Sequence, residues 1–140
     1  MADGDRDIFV YMGGEQVAPE DVTHVRIDKS VEAIEENAFN GCEHLVQVET
    51  HDGIRRVGKG AFRNCESLRR INLKYVVEIG EYAFCECVNL ESVEFGENLE
   101  IIGVSAFEEC ISLKRINLPS IVNIERNAFY NCRALIDVEF

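Results

Sequence analysis

Positive charge is scarce in this chain. Fourteen lysines and arginines stand against 26 aspartates and glutamates, a formal charge of −12 over 140 residues and a pI near 4.6. Such a balance opposes the sequence-independent attraction to phosphate backbones or anionic lipid that a basic surface provides. Neither nucleic acid nor a membrane surface is therefore expected as a partner. Long apolar runs are missing as well, and none approaches the roughly 20 residues that a spanning helix needs. The opening stretch from Met1 to Asp7 has neither the basic nor the apolar region of a secretory signal, so the expected setting is cytoplasmic. There is no Walker loop and no dinucleotide fingerprint. His24, His44 and His51 form no ligand pair with a cysteine at zinc spacing. Nothing suggests a Ser/His/Asp or Cys/His catalytic group, so no enzyme, cofactor or metal is expected. Asp3, Asp5 and Asp7 alternate as at the start of a calcium loop, but the glycine and distal glutamate of that motif are missing. Residues 1–7 read as a flexible, solvated tail.

What the chain does have is repetition. Five copies of Ala-Phe-x-x-Cys-x-x-Leu-x-x-(Val/Ile) begin at Ala38, Ala61, Ala83, Ala106 and Ala128, spaced by 23, 22, 23 and 22 residues. A fixed period near 22 is the sequence mark of a solenoid. Two further apolar rows precede each phenylalanine: Val31, Ile54, Val76, Leu99 and Ile121, then Ile34, Val57, Ile79, Ile102 and Ile124. The stretch from each leucine alternates with period two and predicts a short strand. Ala-Phe-x-x-Cys has the i, i+3 spacing of one helical turn, too short for an independent helix. Each coil is thus expected to be a strand, a turn and a single helical or 3-10 turn on the far side. Alone it cannot bury its apolar face; stacked, it shares one core with its neighbours.

Five of the six cysteines occupy the same place in every repeat, where each serves as a small buried apolar residue. A reduced, intracellular setting fits that use. Cys85, outside the row, is the expected surface thiol and the one most open to reaction. The spacing alternates because two copies carry an extra residue after the strand, at His51-Asp52-Gly53 and at Gly96-Glu97-Asn98. Ser67–Leu73 and Ser112–Leu118 echo each other 45 residues apart, which points to a duplicated pair of coils.

Residues 8–21 read as a β-hairpin turning at Gly13-Gly14 and capping the first coil. Residues 22–140 form the solenoid, one partial and five further coils, with no obvious cap after Phe140. The outward strand positions fall in two lines: His24, Gln47, Arg70, Ser92, Arg115 and Asp137, then Arg26, Glu49, Asn72, Glu94, Asn117 and Glu139. Arg70 and Arg115 form a positive stripe flanked by Glu49 and Glu94 on an otherwise acidic protein. Those charges either alternate so that neighbouring strands do not repel, or they mark a recognition face. The candidate contact set for an acidic or polar protein partner is Arg26, Gln47, Arg70, Asn72, Lys74, Arg115 and Asn117. Glu35, Glu36, Glu81, Glu86, Glu108 and Glu109 fall on the opposite turns as a solvated face.

The phrase Ile79-Gly80…Ala83-Phe84…Cys87…Leu90…Val93…Phe95, repeated from Ile102 to Leu118, resembles the BspA-type leucine-rich repeat. The resemblance covers about residues 22–140. Glu35 and Glu125 replace the usual glycine, and Thr50 stands at a strand end where an apolar residue is usual, a weak point in the first coil. The resemblance implies an α/β, right-handed leucine-rich-repeat solenoid with a parallel sheet on its concave face, acting as a binding surface rather than an enzyme. The function expected is a non-catalytic scaffold that binds protein through that face. The alternative is a self-assembling segment that forms a homodimer through its C-terminal coil.

Overall fold

A computed structural model describes residues 7–140. Twelve short strands make up the regular structure: β1 (Phe9–Tyr11), β2 (His24–Ile27), β3 (Ala33–Ile34), β4 (Gln47–Glu49), β5 (Arg56–Val57) and β6 (Arg70–Leu73), then β7 (Glu78–Ile79), β8 (Ser92–Phe95), β9 (Ile101–Ile102), β10 (Arg115–Asn117), β11 (Asn123–Ile124) and β12 (Asp137–Glu139). Every pairing is parallel and joins equivalent positions of successive coils. The chain therefore winds as a parallel β-solenoid. Strands β2, β4, β6, β8, β10 and β12 lie on the main side; β3, β5, β7, β9 and β11 form a second ladder of two-residue strands. This second ladder follows from the isoleucine-valine row of Ile34, Val57, Ile79 and Ile102, all buried.

The helical turn expected at Ala-Phe-x-x-Cys is absent, and no helix occurs among the described residues. The backbone explains this. Asn37, Gly60, Tyr82, Ser105 and Asn127, just before each alanine, have φ near +60°, as do Asn64, Glu86, Glu109 and Asn131 before each later cysteine; Gly41, before the first, is at +80°. Two left-handed residues within five cannot belong to a right-handed helix. They split the N–H groups into two sets instead. Ala38, Asn40 and Cys42 donate to carbonyls three residues back, while Asn37, Phe39 and Gly41 donate to Lys59, Ala61 and Arg63 of the next coil. The same alternation recurs in the following coils, so these turns act as a third hydrogen-bonded ladder.

The core is a set of side-chain ladders. Phe39, Phe62, Phe84 and Phe107 are fully buried, and with Phe129 they stack at centroid spacings of 5.1–5.4 Å with ring planes within 15°. Beside them the thiols of Cys65, Cys87, Cys110 and Cys132 donate to the carbonyls of Phe39, Phe62, Phe84 and Phe107 at 3.0–3.2 Å. Glycine holds the three interior coils close. A Cβ on Gly58, Gly80 or Gly103 would lie 2.8 Å from backbone of the preceding coil, nearer than real Cβ contacts allow.

The segment before the first coil differs from the expected hairpin. β1 pairs in parallel with β2, Phe9 opposite Val25 and Tyr11 opposite Ile27, and residues 15–18 form no strand. Tyr11 is why. Its ring is buried 5.2 Å from Phe39, continuing the aromatic stack, and its hydroxyl accepts the Glu35 N–H. Ala18 donates to Ala38 and Pro19 accepts the Cys42 thiol, so residues 11–19 stand in for a preceding coil. Apart from Asp7, the aspartates weighed as a calcium loop lie outside the described residues.

Candidate functional site

The outward face of the main ladder is built by period-two alternation. Val48, Ile71, Val93 and Ile116 point into the core, which turns Gln47, Arg70, Asn72, Glu94, Arg115 and Asn117 out into solvent. Ladder register then decides neighbours. Arg70 and Arg115 both pair with Ser92, which sits between them, and Asp137 follows Arg115. On the second line Arg26 opposes Glu49, Asn72 opposes Glu94 and Asn117 opposes Glu139.

The candidate residues do not all remain free. Arg26 Nε donates to Glu49 Oε2 at 3.1 Å, both side chains about half exposed; such a pair contributes roughly 0–1 kcal/mol. Lys74 lies beyond the end of β6, its Nζ 5.7 Å from the Tyr75 ring centre and away from the two lines. Arg69, next to Arg70 but on another row, pairs with Glu91 at 3.3 Å. Arg70 and Arg115 take no part in the ion pairs of the described residues. Asn72 accepts the Lys74 N–H through Oδ1 at 3.0 Å, leaving its amide group to donate.

Ladder strength alternates along this face. β6 and β8 pair over four residues, and β2 with β4 and β10 with β12 over three. β8 and β10 meet only at Ser92 and Arg115. β4 and β6 share no ladder pair; Thr50 Oγ1 bridges them by donating to Asn72 O at 2.6 Å. Thr50, read from sequence as a weak point, makes the cross-coil bond at this seam. Shallow clefts open on this face, one of about 440 Å³ between β4 and β6 and one of about 390 Å³ that runs over β8, β10 and β12. The first is lined by Gln47, Arg69, Arg70 and Asn72; the second by Ser92, Arg115 and Asn117, the residues 45 positions on from Gln47, Arg70 and Asn72, and also by the carboxylates of Glu94, Asp137 and Glu139. Sequence reasoning saw the 45-residue echo but not that it places two clefts on one face, the first lined by arginines and the second mainly by carboxylates.

The thiols offer no reactive centre. Burial pushes Cys42, Cys85 and Cys132 up to about 11 and the three interior ladder thiols higher still. Cys85 is buried, contrary to the expected surface thiol. It lies between Arg63 and Glu108 at the same place in the flanking coils, and those longer side chains cover a short one. Among the described residues no group of three or more His, Cys, Asp or Glu side chains is placed to hold a metal ion. On the last coil, Val122, Tyr130, Ile136 and Phe140 are exposed.

Parallel stacked coils, a buried phenylalanine-cysteine core and a polar outward sheet define a repeat scaffold with a surface, rather than a deep pocket, to offer. The family model described as the BspA type leucine rich repeat region matches residues 18–136 in six copies, and the chain belongs to that family. Its repeat scaffolds typically serve protein interaction. The chain is similar to a leucine-rich repeat protein of T. pallidum, with 27% identity and a TM-score of 0.79 over 96% of this chain and 75% of that one. It is also similar to a leucine-rich repeat protein from Bacteroides ovatus, with 30% identity and a TM-score of 0.78, covering 85% of this chain and 31% of that one. No curated protein matches the chain.

Proposed function

We propose that this chain is a non-catalytic scaffold that binds another protein on the outward face of its main sheet, the concave face of the repeat family. The observation that carries this is the pair Arg70 and Arg115. They stand in register on either side of Ser92, without an ion-pair partner among the described residues, on a chain of charge −12. Charges that merely balance neighbouring strands are already exemplified by Arg26 and Glu49; Arg70 and Arg115 form no such ion pair, although Asp137 stands beside Arg115 in register. Gln47, Asn72 and Asn117 add hydrogen-bonding groups beside them. Arg26 and Lys74 belong to the margin of the face rather than its centre. Cytoplasmic residence goes with this reading, supported by thiols that serve the core as donors.

The test is capture from lysate by this chain and by an Arg70→Glu, Arg115→Glu variant with a matched melting temperature. Capture by the first and loss by the second supports the reading; equal capture by both refutes it.

Self-assembly through the last coil is the second reading, favoured by the exposure of Val122, Ile136 and Phe140 at 78–83%. A two-fold pairing of β12 would, however, bring Asp137 and Glu139 against the same carboxylates of the second copy, and like charges directly opposite are destabilising. Light scattering that shows a concentration-dependent dimer, lost in Phe140→Asp, would reinstate it.

A further inference from the structure

We infer that copies of this chain stack head to tail, the last coil of one docking on residues 8–20 of the next in an open-ended array. The inference does not rest on the sheet face; it concerns the two ends of the stack. Eleven large apolar side chains are exposed among the described residues, and only Val46 lies between the two ends. Ile8, Val10, Met12 and Val17 belong to the segment before the first coil, and the other six to the last coil. Apolar surface gathered at both ends, and not along the stack, marks the ends as interaction surfaces.

The two ends also complement each other. β1 and β12 are the outermost strands of the main side, each with one edge unpaired. β1 holds no charged residue, and an uncharged exposed edge is a template for a further strand. Register names the contacts. Phe9 pairs with Val25, Val25 with Val48, and Ile116 with Val138. One more parallel step beyond β12 sets Val138 against Phe9 of a second copy, and Phe140 against its Tyr11. Asp137 and Glu139 then meet Ile8 and Val10, and the like charges that oppose a two-fold pairing are avoided. On the turns, the N–H groups of Ser105, Phe107 and Glu109 donate forward to Arg126, Ala128 and Tyr130. Their counterparts on Asn127, Phe129 and Asn131 have no backbone acceptor among the described residues, and they flank a Phe129 ring that is only partly buried.

Charge follows the same direction. From Asp7 to Val25 the chain carries four carboxylates and no lysine or arginine. The last coil holds Arg126 and Arg133, both exposed and outside the ion pairs of the described residues. Arg133 follows Cys132 as Glu43 follows Cys42, and Glu20 stands one coil of 23 residues before Glu43, so stacking sets Arg133 against Glu20. Ala18 donates to Ala38 as Phe39 donates to Ala61, so Glu15 takes the place that Arg126 fills in the last coil. A contact of this kind joins two different surfaces, and it builds a filament when its rotation does not close.

Sedimentation velocity of the whole chain, from micromolar to millimolar, tests the inference. The charge of −12 sets a repulsion that salt screens, so physiological ionic strength is used. We expect species that grow with concentration beyond the dimer. Val10→Asp disables the head and Phe140→Asp the tail; both side chains are exposed, and melting verifies that each variant is folded. Each alone should weaken association about tenfold or more, the scale of losing one interface anchor. Mixed, the two should form a one-to-one dimer that grows no further, since each supplies the end that the other lacks. Glu20→Arg should also weaken association, and adding Arg133→Glu to the same chain should restore it. Arg70→Glu with Arg115→Glu should assemble unchanged, which separates this inference from the sheet-face proposal. A monomer at every concentration overturns the inference. So does a closed dimer lost in Phe140→Asp but indifferent to Val10→Asp, the signature of two last coils pairing with each other. A mixture that stays monomeric, the absence of rescue by Arg133→Glu, or assembly lost on reversing Arg70 and Arg115 overturns it as well.

Discussion

Replacing Phe84 by alanine tests the ladder that carries the fold. Its ring is fully buried and lies 5.2 Å from both Phe62 and Phe107, with planes tilted by 8° and 3°. Coils about 4.8 Å apart leave the rings offset by about 2 Å, the arrangement aromatic pairs favour. Truncation removes two such contacts, each worth roughly 0.5–1.5 kcal/mol beyond burial, and leaves a cavity between coils that cannot close without breaking hydrogen bonds on both sides. A loss of about 3–5 kcal/mol is expected, which for a chain of this size lowers the melting midpoint by roughly 10–15 °C. Phe129 is the internal control. It is only partly buried and has a ring neighbour on one side alone, Phe107, so Phe129→Ala should cost about half as much or less. Thermal and urea melts followed by circular dichroism read both. Equal losses at the two positions, or a loss under about 1 kcal/mol at Phe84, would refute the ladder as the source of stability.

Three further outcomes follow from the same geometry. Glu86 adopts φ +61° with an exposed side chain, a conformation that asparagine holds in two of the equivalent positions; Glu86→Asn should raise stability by about 0.5–1 kcal/mol, measured by urea melts. Thr50→Val removes the hydroxyl that bridges β4 to β6 and should cost about 0.5–1.5 kcal/mol, with faster amide exchange confined to that seam. Burial raises Cys42, Cys85 and Cys132 from 9.0 to about 11. The folded state therefore holds those protons more tightly than the unfolded state, so stability is intact below pH 9 and falls between about pH 9 and 11; melting midpoints across that range check it, as does slow reaction of native thiols at pH 8.

The apolar ladders were legible because burial repeats at a fixed period, and six coils carry the pattern through substitutions such as Thr50. The absent helices were not legible from periodicity, since i, i+3 spacing is shared by helices and by linked turns. The clue lay in asparagine or glycine at Asn37, Gly60 and Asn127, and again at Gly41, Asn64 and Asn131, where the left-handed conformation is least costly. Tyr82, Glu86, Ser105 and Glu109 conceal it, because hydrogen bonds to the adjoining coils hold them there against their preference. Gly13-Gly14 gave a genuine turn signal, yet the tie of Tyr11 to Glu35 that docks β1 in parallel spans 24 residues and has no local signature. The outward arginines were found from alternation alone. Which of them stay free depended on whether glutamate lay within reach, as for Arg26 and Glu49.

The most direct test of the proposed function is hydrogen–deuterium exchange of the chain alone and with a captured partner. The account predicts added protection in β4, β6, β8 and β10, strongest from Arg70 to Leu73 and from Ser92 to Asn117. Protection confined to the opposite turns from Glu81 to Glu86 or to residues 128–140, with those strands unchanged, would contradict it.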